Sequence, residues 1–337
     1  MTRIVTLEAS TKHLMIHCLL ALGLTLLATP APAIDDKRAD VRTFIEEMAH
    51  DHGSNRVELA ALLQDAQSVQ SILSAISRPA ERTVPWHEYR SQFLNPKRIS
   101  QGGEFWNTHA ARLGPLQDSG LATTVAGILG VETSYGRATG RFRILDALAT
   151  LAFDYPPRGE FFRGELRNFL LLTREESIDP ATALGSYAGA MGIPQFMPSS
   201  YRQFAVDADG DGSRDLWSNW GDVIYSVANY LRVHGWRDGE AVIVEAKLRD
   251  RDLSQFDMSV LALNETVQSL RDKGVRFDTQ LPAEAPAMLT MFRGKSGPEY
   301  RVAFNNFYVI TRYNRSTMYA RAVHELGQAV HKSLQPQ

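Results

Sequence analysis

Residues 125–136 read Val125-Ala126-Gly127-Ile128-Leu129-Gly130-Val131-Glu132-Thr133-Ser134-Tyr135-Gly136. With Leu121 before them, Val125, Ile128 and Leu129 recur at helical spacing and mark one apolar stripe. Glu132 lies three residues past Leu129 and four past Ile128, so it continues the face that the stripe buries. Burial penalises the charged form of a carboxyl, so a glutamate there keeps a proton to give to a leaving oxygen. Taken alone, the spacing also fits a solvated glutamate at a helix end, the usual setting of that residue.

Outward from this run the pattern stays mostly helical. Val41, Phe44, Ile45 and Met48 form an amphipathic set that Gly53 can stop, and Leu59, Leu62 and Leu63 form a second. Val69, Leu73 and Ile76 follow, before Pro79, Pro85 and Pro96 punctuate the chain. Phe161, Phe162, Leu166, Phe169 and Leu170 make a further stripe, and the spacing predicts a helix over 222–233 with Val223, Ile224, Val227 and Leu231 inward. Residues 241–304 change character: 241–246, 287–292 and 300–304 are short and β-prone around one helix at 264–273. A last helix is expected over 316–332. The class is α+β, mainly α.

A second segment, Ser186-Tyr187-Ala188-Gly189-Ala190-Met191-Gly192-Ile193-Pro194-Gln195-Phe196-Met197-Pro198-Ser199-Ser200-Tyr201, is rich in small residues that let backbone approach a ligand closely. Tyr187 and Phe196 offer flat faces of the kind sugars stack on, while Ser186 and Gln195 offer hydrogen bonds. The same residues fit a tight turn followed by a Pro-Ser helix start. A third segment places Asp207, Asp209, Asp211 and Ser213 at loop positions one, three, five and seven, with Gly212 at six. That alternation matches the opening of an EF-hand loop, and hard oxygen ligands favour Ca2+ as a structural ion. Position twelve is Ser218 instead of the usual bidentate glutamate, and an acidic surface turn is the alternative.

Bulk properties narrow the field. The 337 residues carry a formal charge of −2 with 44% hydrophobic and 22% charged residues, so neither nucleic acid nor an anionic membrane is a general partner. Arg3, Lys12 and His13 precede an apolar run over 14–27, and Pro30-Ala31-Pro32-Ala33 supplies an A-x-A exit. Residues 1–33 therefore read as a secretory signal peptide; the run is short of the roughly 20 apolar residues that span a bilayer. Cys18 lies within it, preceded by His17 and not by the small residue a lipoprotein signal needs. The expected mature chain starts near Ile34, has no cysteine and is soluble in the periplasm, without stable membrane insertion.

At Glu132 and the 186–201 segment the sequence resembles the active-site core of type B lytic transglycosylases, lysozyme-like enzymes that cleave peptidoglycan. The resemblance continues through residues 147–156, 226–230 and 306–314 and covers about 40–335. It implies a lysozyme-like catalytic core at 121–240 with the EF-hand-like loop, an accessory helical region at 34–120, a small β-containing subdomain at 241–304, and a segment at 305–337 returning to the core. It implies Glu132 as acid and base without a catalytic cofactor. Ser186, Tyr187, Gln195, Tyr313 and Asn314 would line the saccharide cleft. Arg158 would touch the glycan or its peptide, with Pro157 standing where the family often has a second arginine, and Asp222 would supply the late carboxylate of the calcium loop. The implied reaction uses no water: glutamate protonates the bond between N-acetylmuramic acid and N-acetylglucosamine, and the sugar's own C6 hydroxyl closes a 1,6-anhydro ring. The rivals are a hydrolytic muramidase of the same fold and a non-catalytic, calcium-stabilised peptidoglycan-binding protein.

Overall fold

The computed structural model describes residues 33–77, 84–249 and 252–335. The expected leader, with Cys18, lies outside them except for Ala33. No described helix is long and apolar enough to cross a membrane.

The chain opens with α1 (Ala39–His52), α2 (Arg56–Asp65) and α3 (Gln70–Ile76), then α4 (Trp86–Phe93), α5 (Pro96–Thr108) and the short α6 (Ala110–Leu113). Local chemistry sets these boundaries. Gly53 takes a left-handed conformation that ends α1, and Asn55 and Asn95 accept backbone N–H groups at the starts of α2 and α5. The helix that carries Glu132 is α7 (Leu121–Thr133). It is followed by β1 (Phe142–Arg143), α8 (Ile144–Asp154), α9 (Gly159–Glu175), β2 (Leu184–Gly185), α10 (Pro198–Phe204) and α11 (Trp220–Val233). The first helices dock on α8 through polar contacts. Arg38 pairs with Asp154 at 2.6 Å, and the N–H of Gln67 donates to Asp146 at 2.9 Å.

Beyond α11 come β3 (Ile243–Leu248), β4 (Glu265–Thr266), α12 (Val267–Asp272), β5 (Val275–Arg276), β6 (Pro286–Gly294) and β7 (Gly297–Phe304). They form an antiparallel sheet of order β4-β6-β7-β3-β5 with its own apolar cluster around Val267, Leu289, Val302 and Phe304. The helix expected over 264–273 is shorter, because Glu265 and Thr266 pair with β6 before a capping box at Thr266 and Ser269 starts α12. The chain returns through α13 (Asn305–Tyr313) and α14 (Thr317–Ser333), the latter capped by the Ser316 side chain.

The stripe read on α7 is too narrow a description. Ala122, Thr124, Ala126, Gly127, Gly130 and Thr133 are buried as well, so the helix is enclosed nearly all round. The expected inward stripe of α9 also needs correction at Phe161, which is 42% exposed beneath the Arg158 guanidinium.

Two glycines set how α7 meets α14. A Cβ on Gly127 would stand 2.1 Å from the Val323 carbonyl oxygen, and one on Gly327 would stand 2.2 Å from that of Thr123. The helices therefore touch backbone to backbone. Residue 127 lies against 323, and 123 against 327. One further step of four along each antiparallel helix sets residue 131 against 319. This register delivers Tyr319 to the neighbourhood of Glu132.

Gly127→Ala and Gly327→Ala should each lower the melting temperature, since forced overpacking costs about 1–3 kcal/mol or more. Gly114→Ala is the control, because a Cβ there meets no atom within 4 Å. Equal melting of Gly127→Ala and the parent would show that close approach is not what docks the two helices.

Candidate active site

α7 ends in a tight, partly strained turn. Ser134 and Tyr135 both have positive φ, at 53° and 58°, and the Tyr135 N–H closes the helix on the Leu129 carbonyl. Thr133 pins this end to the small-residue loop: its hydroxyl donates to the Ile193 carbonyl at 2.9 Å and accepts the Gly136 N–H at 3.0 Å. From α5, Arg98 donates to the carbonyl of Gly130, a cation at the helix C-terminus where the backbone dipole favours positive charge.

Glu132 is half-buried at this end. The Tyr319 hydroxyl donates to its Oε1 at 2.5 Å. The Tyr319 ring stacks on Tyr313 at 6.4 Å, and Tyr313 packs against Tyr230 at 4.9 Å and Phe196 at 5.7 Å. Each phenol is tied down. Tyr313 donates to the Pro194 carbonyl at 2.5 Å, and Tyr230 donates to the Arg312 carbonyl at 2.6 Å. Burial pushes Tyr313 and Tyr319 well above the usual phenol range, and the negative charge of Glu132 adds to it. Burial likewise raises Tyr230, to about 12. All three stay neutral and serve as hydrogen-bond donors.

The loop before α10 is built from its own backbone. Ser186 Oγ accepts the N–H of Ala190 at 3.0 Å and of Ala188 at 3.3 Å. A hydroxyl has two lone pairs, so Ser186 still has its proton to donate. Tyr187 is 40% exposed and keeps a free face, as a sugar-stacking residue needs. Gln195 differs from expectation. Its Nε2 donates to the carbonyls of Thr139 and Gly192, so its donors close the loop onto the chain after α7 and only Oε1 remains available. Phe196 is 2% exposed beneath Tyr230 and Tyr313, so it supports the wall and cannot be a sugar platform.

Tyr313 thus joins Glu132 through Tyr319, while Asn314 follows it as an exposed residue at the end of α13. Arg158 is exposed, with its guanidinium 4.3 Å from the Phe161 centroid. Tyr319, Tyr230, Thr133 and Arg98 escaped the sequence reading. A buried tyrosine on an amphipathic helix looks like any core residue, although Tyr230 does fall within the 226–230 stretch.

The acidic loop gathers its first three aspartates. Carboxylate oxygens of Asp207, Asp209 and Asp211 lie within 4.8 Å of one another. Backbone N–H groups, that of Gly212 foremost and then those of Gly210 and Asp211, hold Asp207 below the usual carboxylate range. The Ser213 N–H donates to Asp211 at 2.8 Å, and Asn219 donates to Asp209 at 2.9 Å. Asp222 stands outside that group. It is fully buried, burial raises its pKa, and its two oxygens accept the N–H groups of Ala208 and Asp215 at 2.8 Å each. Its place is a clamp that ties the loop to α11. At the twelfth position Ser218 donates to Asp215 and so is occupied within the turn.

Comparisons with known proteins agree on the family. Residues 36–328 match the transglycosylase SLT domain. The chain is 40% identical over 302 residues to the membrane-bound lytic murein transglycosylase B of Escherichia coli K12, covering 86% of this chain and 82% of that protein. The structure of catenated lytic transglycosylase SltB1 from Pseudomonas aeruginosa superposes with a TM-score of 0.84 at 47% identity, covering 88% of this chain and 99% of that one. The Escherichia coli lytic transglycosylase Slt35 in complex with calcium gives 0.79 at 39% identity, covering 90% and 96%.

Proposed function

We propose, from the premise that this chain belongs to the lytic murein transglycosylase family of the SLT domain, that Glu132 is the single acid and base with which it cleaves peptidoglycan. The observation that carries this reading is the half-buried Glu132 carboxyl at the end of an enclosed helix, held at 2.5 Å by a tyrosine that burial keeps neutral.

The chemistry runs in two proton transfers. Protonated Glu132 donates to the glycosidic oxygen between N-acetylmuramic acid and N-acetylglucosamine as that C–O bond breaks. The carboxylate then takes the proton of the C6 hydroxyl as its oxygen bonds to C1, which regenerates the acid and closes the 1,6-anhydro ring. The nucleophile belongs to the same sugar, so high effective concentration replaces a second carboxylate and a water. Tyr319 orients Glu132 through both steps. The Ser186 hydroxyl, the Tyr187 face, Gln195 Oε1 and Asn314 are the contacts offered to the saccharide. In this reading residues 121–240 and 305–337 carry the chemistry, 34–120 brace it, and 241–304 add a β-containing subdomain. The Arg158 guanidinium rests on the rings of Phe161 and Phe162, and from there it would meet the glycan or its peptide.

The three clustered aspartates fit a hard divalent cation. Asp207, Asp209 and Asp211 would hold Ca2+ together with main-chain oxygen such as that of Ser213. Asp222 would act from behind, fixing both loop ends. The ion's role is structural, relieving the repulsion of three close carboxylates.

Glu132→Gln should leave the fold intact and remove turnover by at least about 10²–10⁴-fold, the usual worth of general acid–base catalysis. Tyr319→Phe should fall between this variant and the parent, with KM little changed, because it removes only the orienting hydrogen bond. Mass spectrometry of digested sacculi reads both, since anhydro ends lack one water relative to hydrolytic ends. Parent-rate release of anhydromuropeptides by Glu132→Gln would remove Glu132 from the role, and products with hydrated ends would make the enzyme a muramidase.

Calcium at a hundredfold excess over Kd should stabilise the folded state by about 2.7 kcal/mol, with magnesium doing less. Thermal melts with calcium, magnesium and chelator test this; identical curves would reduce the loop to an acidic turn. The leader reading puts the protein in the periplasm, where its substrate lies. Intact mass of the periplasmic fraction should give a chain starting near Ile34, and acylation at Cys18 would refute it.

A further inference from the structure

The Ile193-Pro194 dipeptide of the small-residue loop is fastened to three separate elements. Proline has no N–H and a fixed φ, and it restricts the residue before it. The pair therefore offers one N–H and two carbonyls on a stiff frame, and all three are used. The Ile193 N–H donates to the Leu216 carbonyl at 2.8 Å, ahead of α11. The Ile193 carbonyl accepts the Thr133 hydroxyl at 2.9 Å, from the end of α7. The Pro194 carbonyl accepts the Tyr313 hydroxyl at 2.5 Å, from the end of α13. Both residues are buried, so a lost bond would leave a backbone group with no water to replace its partner.

Two of these bonds lead to the same carboxyl by different routes. Thr133 is the next residue after Glu132, so its bond fixes the Glu132 backbone. Tyr313 stacks on Tyr319, whose hydroxyl donates to Glu132 Oε1 at 2.5 Å and fixes the side chain. The contacts close a circuit that runs from Glu132 through Tyr319, Tyr313, Pro194, Ile193 and Thr133 back to Glu132.

Thr133 itself is held firmly. It is 1% exposed, and its hydroxyl oxygen accepts the Gly136 N–H at 3.0 Å, which leaves the proton for Ile193. Its carbonyl accepts the Ala138 N–H at 3.0 Å. The loop at the far end of its bond carries Ser186, Tyr187 and Gln195, the groups offered to the saccharide in the function proposed above.

We propose that Thr133 is a positioning residue for the reaction: its hydroxyl closes the circuit that locks Glu132 to the loop on which the glycan rests. The inference rests on Glu132 being the acid. With the circuit closed, a saccharide held by the loop presents its glycosidic oxygen to the carboxyl at a set distance. With the Thr133 bond open, the loop still holds the sugar, but the end of α7 shifts against it. A misplacement of about 1 Å can cost about 10²-fold in rate, so the loss falls on kcat and spares binding.

The test is Thr133→Val, which keeps the shape and removes the hydroxyl, beside Thr133→Ser, which keeps the hydroxyl. Kinetics on soluble glycan strands are measured with calorimetric titration of the same strands into each variant carrying Glu132→Gln. Thr133→Val should lower kcat by about tenfold to 10²-fold, with strand affinity little changed, and Thr133→Ser should recover most of the rate. Combined with Tyr313→Phe, which breaks the circuit at Pro194, it should lose less than the product of the two single effects, because one break already opens the circuit. Where Thr133→Val melts below the assay temperature, Thr133→Ala takes its place in the same comparison. A parent kcat without the hydroxyl, a matching loss of affinity, no recovery with serine, or a double variant reduced by the full product or more would each overturn the proposal. Cleavage retained by Glu132→Gln strikes instead at the proposed function, and the rate ratios are read in the same way for anhydro and hydrated ends.

Discussion

The backbone contact between α7 and α14 is the constraint on which the site depends. Gly127 and Gly327 let the two helices meet without side chains between them, and that contact fixes their register. The register brings Tyr319 to Glu132 across 187 residues of chain. A tyrosine hydroxyl reaches a carboxyl at hydrogen-bond distance only when the supporting backbones are placed to a fraction of an ångström, and rigid helices supply such precision better than loops.

From this contact the rest of the wall follows by stacking. Tyr319 lies on Tyr313, which meets Tyr230 and Phe196, and the Tyr313 hydroxyl reaches back to the Pro194 carbonyl. Thr133 meets the neighbouring Ile193 from the other side. The small-residue loop is therefore held between the end of α7 and the start of the returning segment. Positive φ at Ser134, Tyr135 and Gln195 marks where this arrangement strains the backbone. Non-glycine residues in that region cost of order 1–3 kcal/mol each, and such strain gathers at sites that must hold a set geometry. The enclosed aromatic side chains and the satisfied loop backbone offset it.

The acidic loop shows the same division between local and distant causes. The alternation of three aspartates brings their oxygens together, because backbone N–H groups of the same turn fold the loop around Asp207. The place of Asp222 is set by α11, which buries it and turns both of its oxygens to backbone donors. Ser218, exposed at the twelfth position, donates to Asp215 within the same turn.

By itself the sequence determined what local chemistry decides: the apolar helix ending near Glu132, the stop at Gly53, the last helix from about residue 316, the β-prone stretch at 241–304, and the clustering of Asp207, Asp209 and Asp211. Periodicity and turn residues act over a few positions, so they are legible in one chain. Only the tertiary structure decided which side chains meet. It engaged the Gln195 amide N–H groups in closing the loop, buried Phe196, stacked Arg158 on Phe161, gave Asp222 to the backbone and brought Tyr319 to Glu132. Each of these depends on elements distant in sequence. Their relative placement is set by close packing and helix register, which no spacing within a single segment encodes.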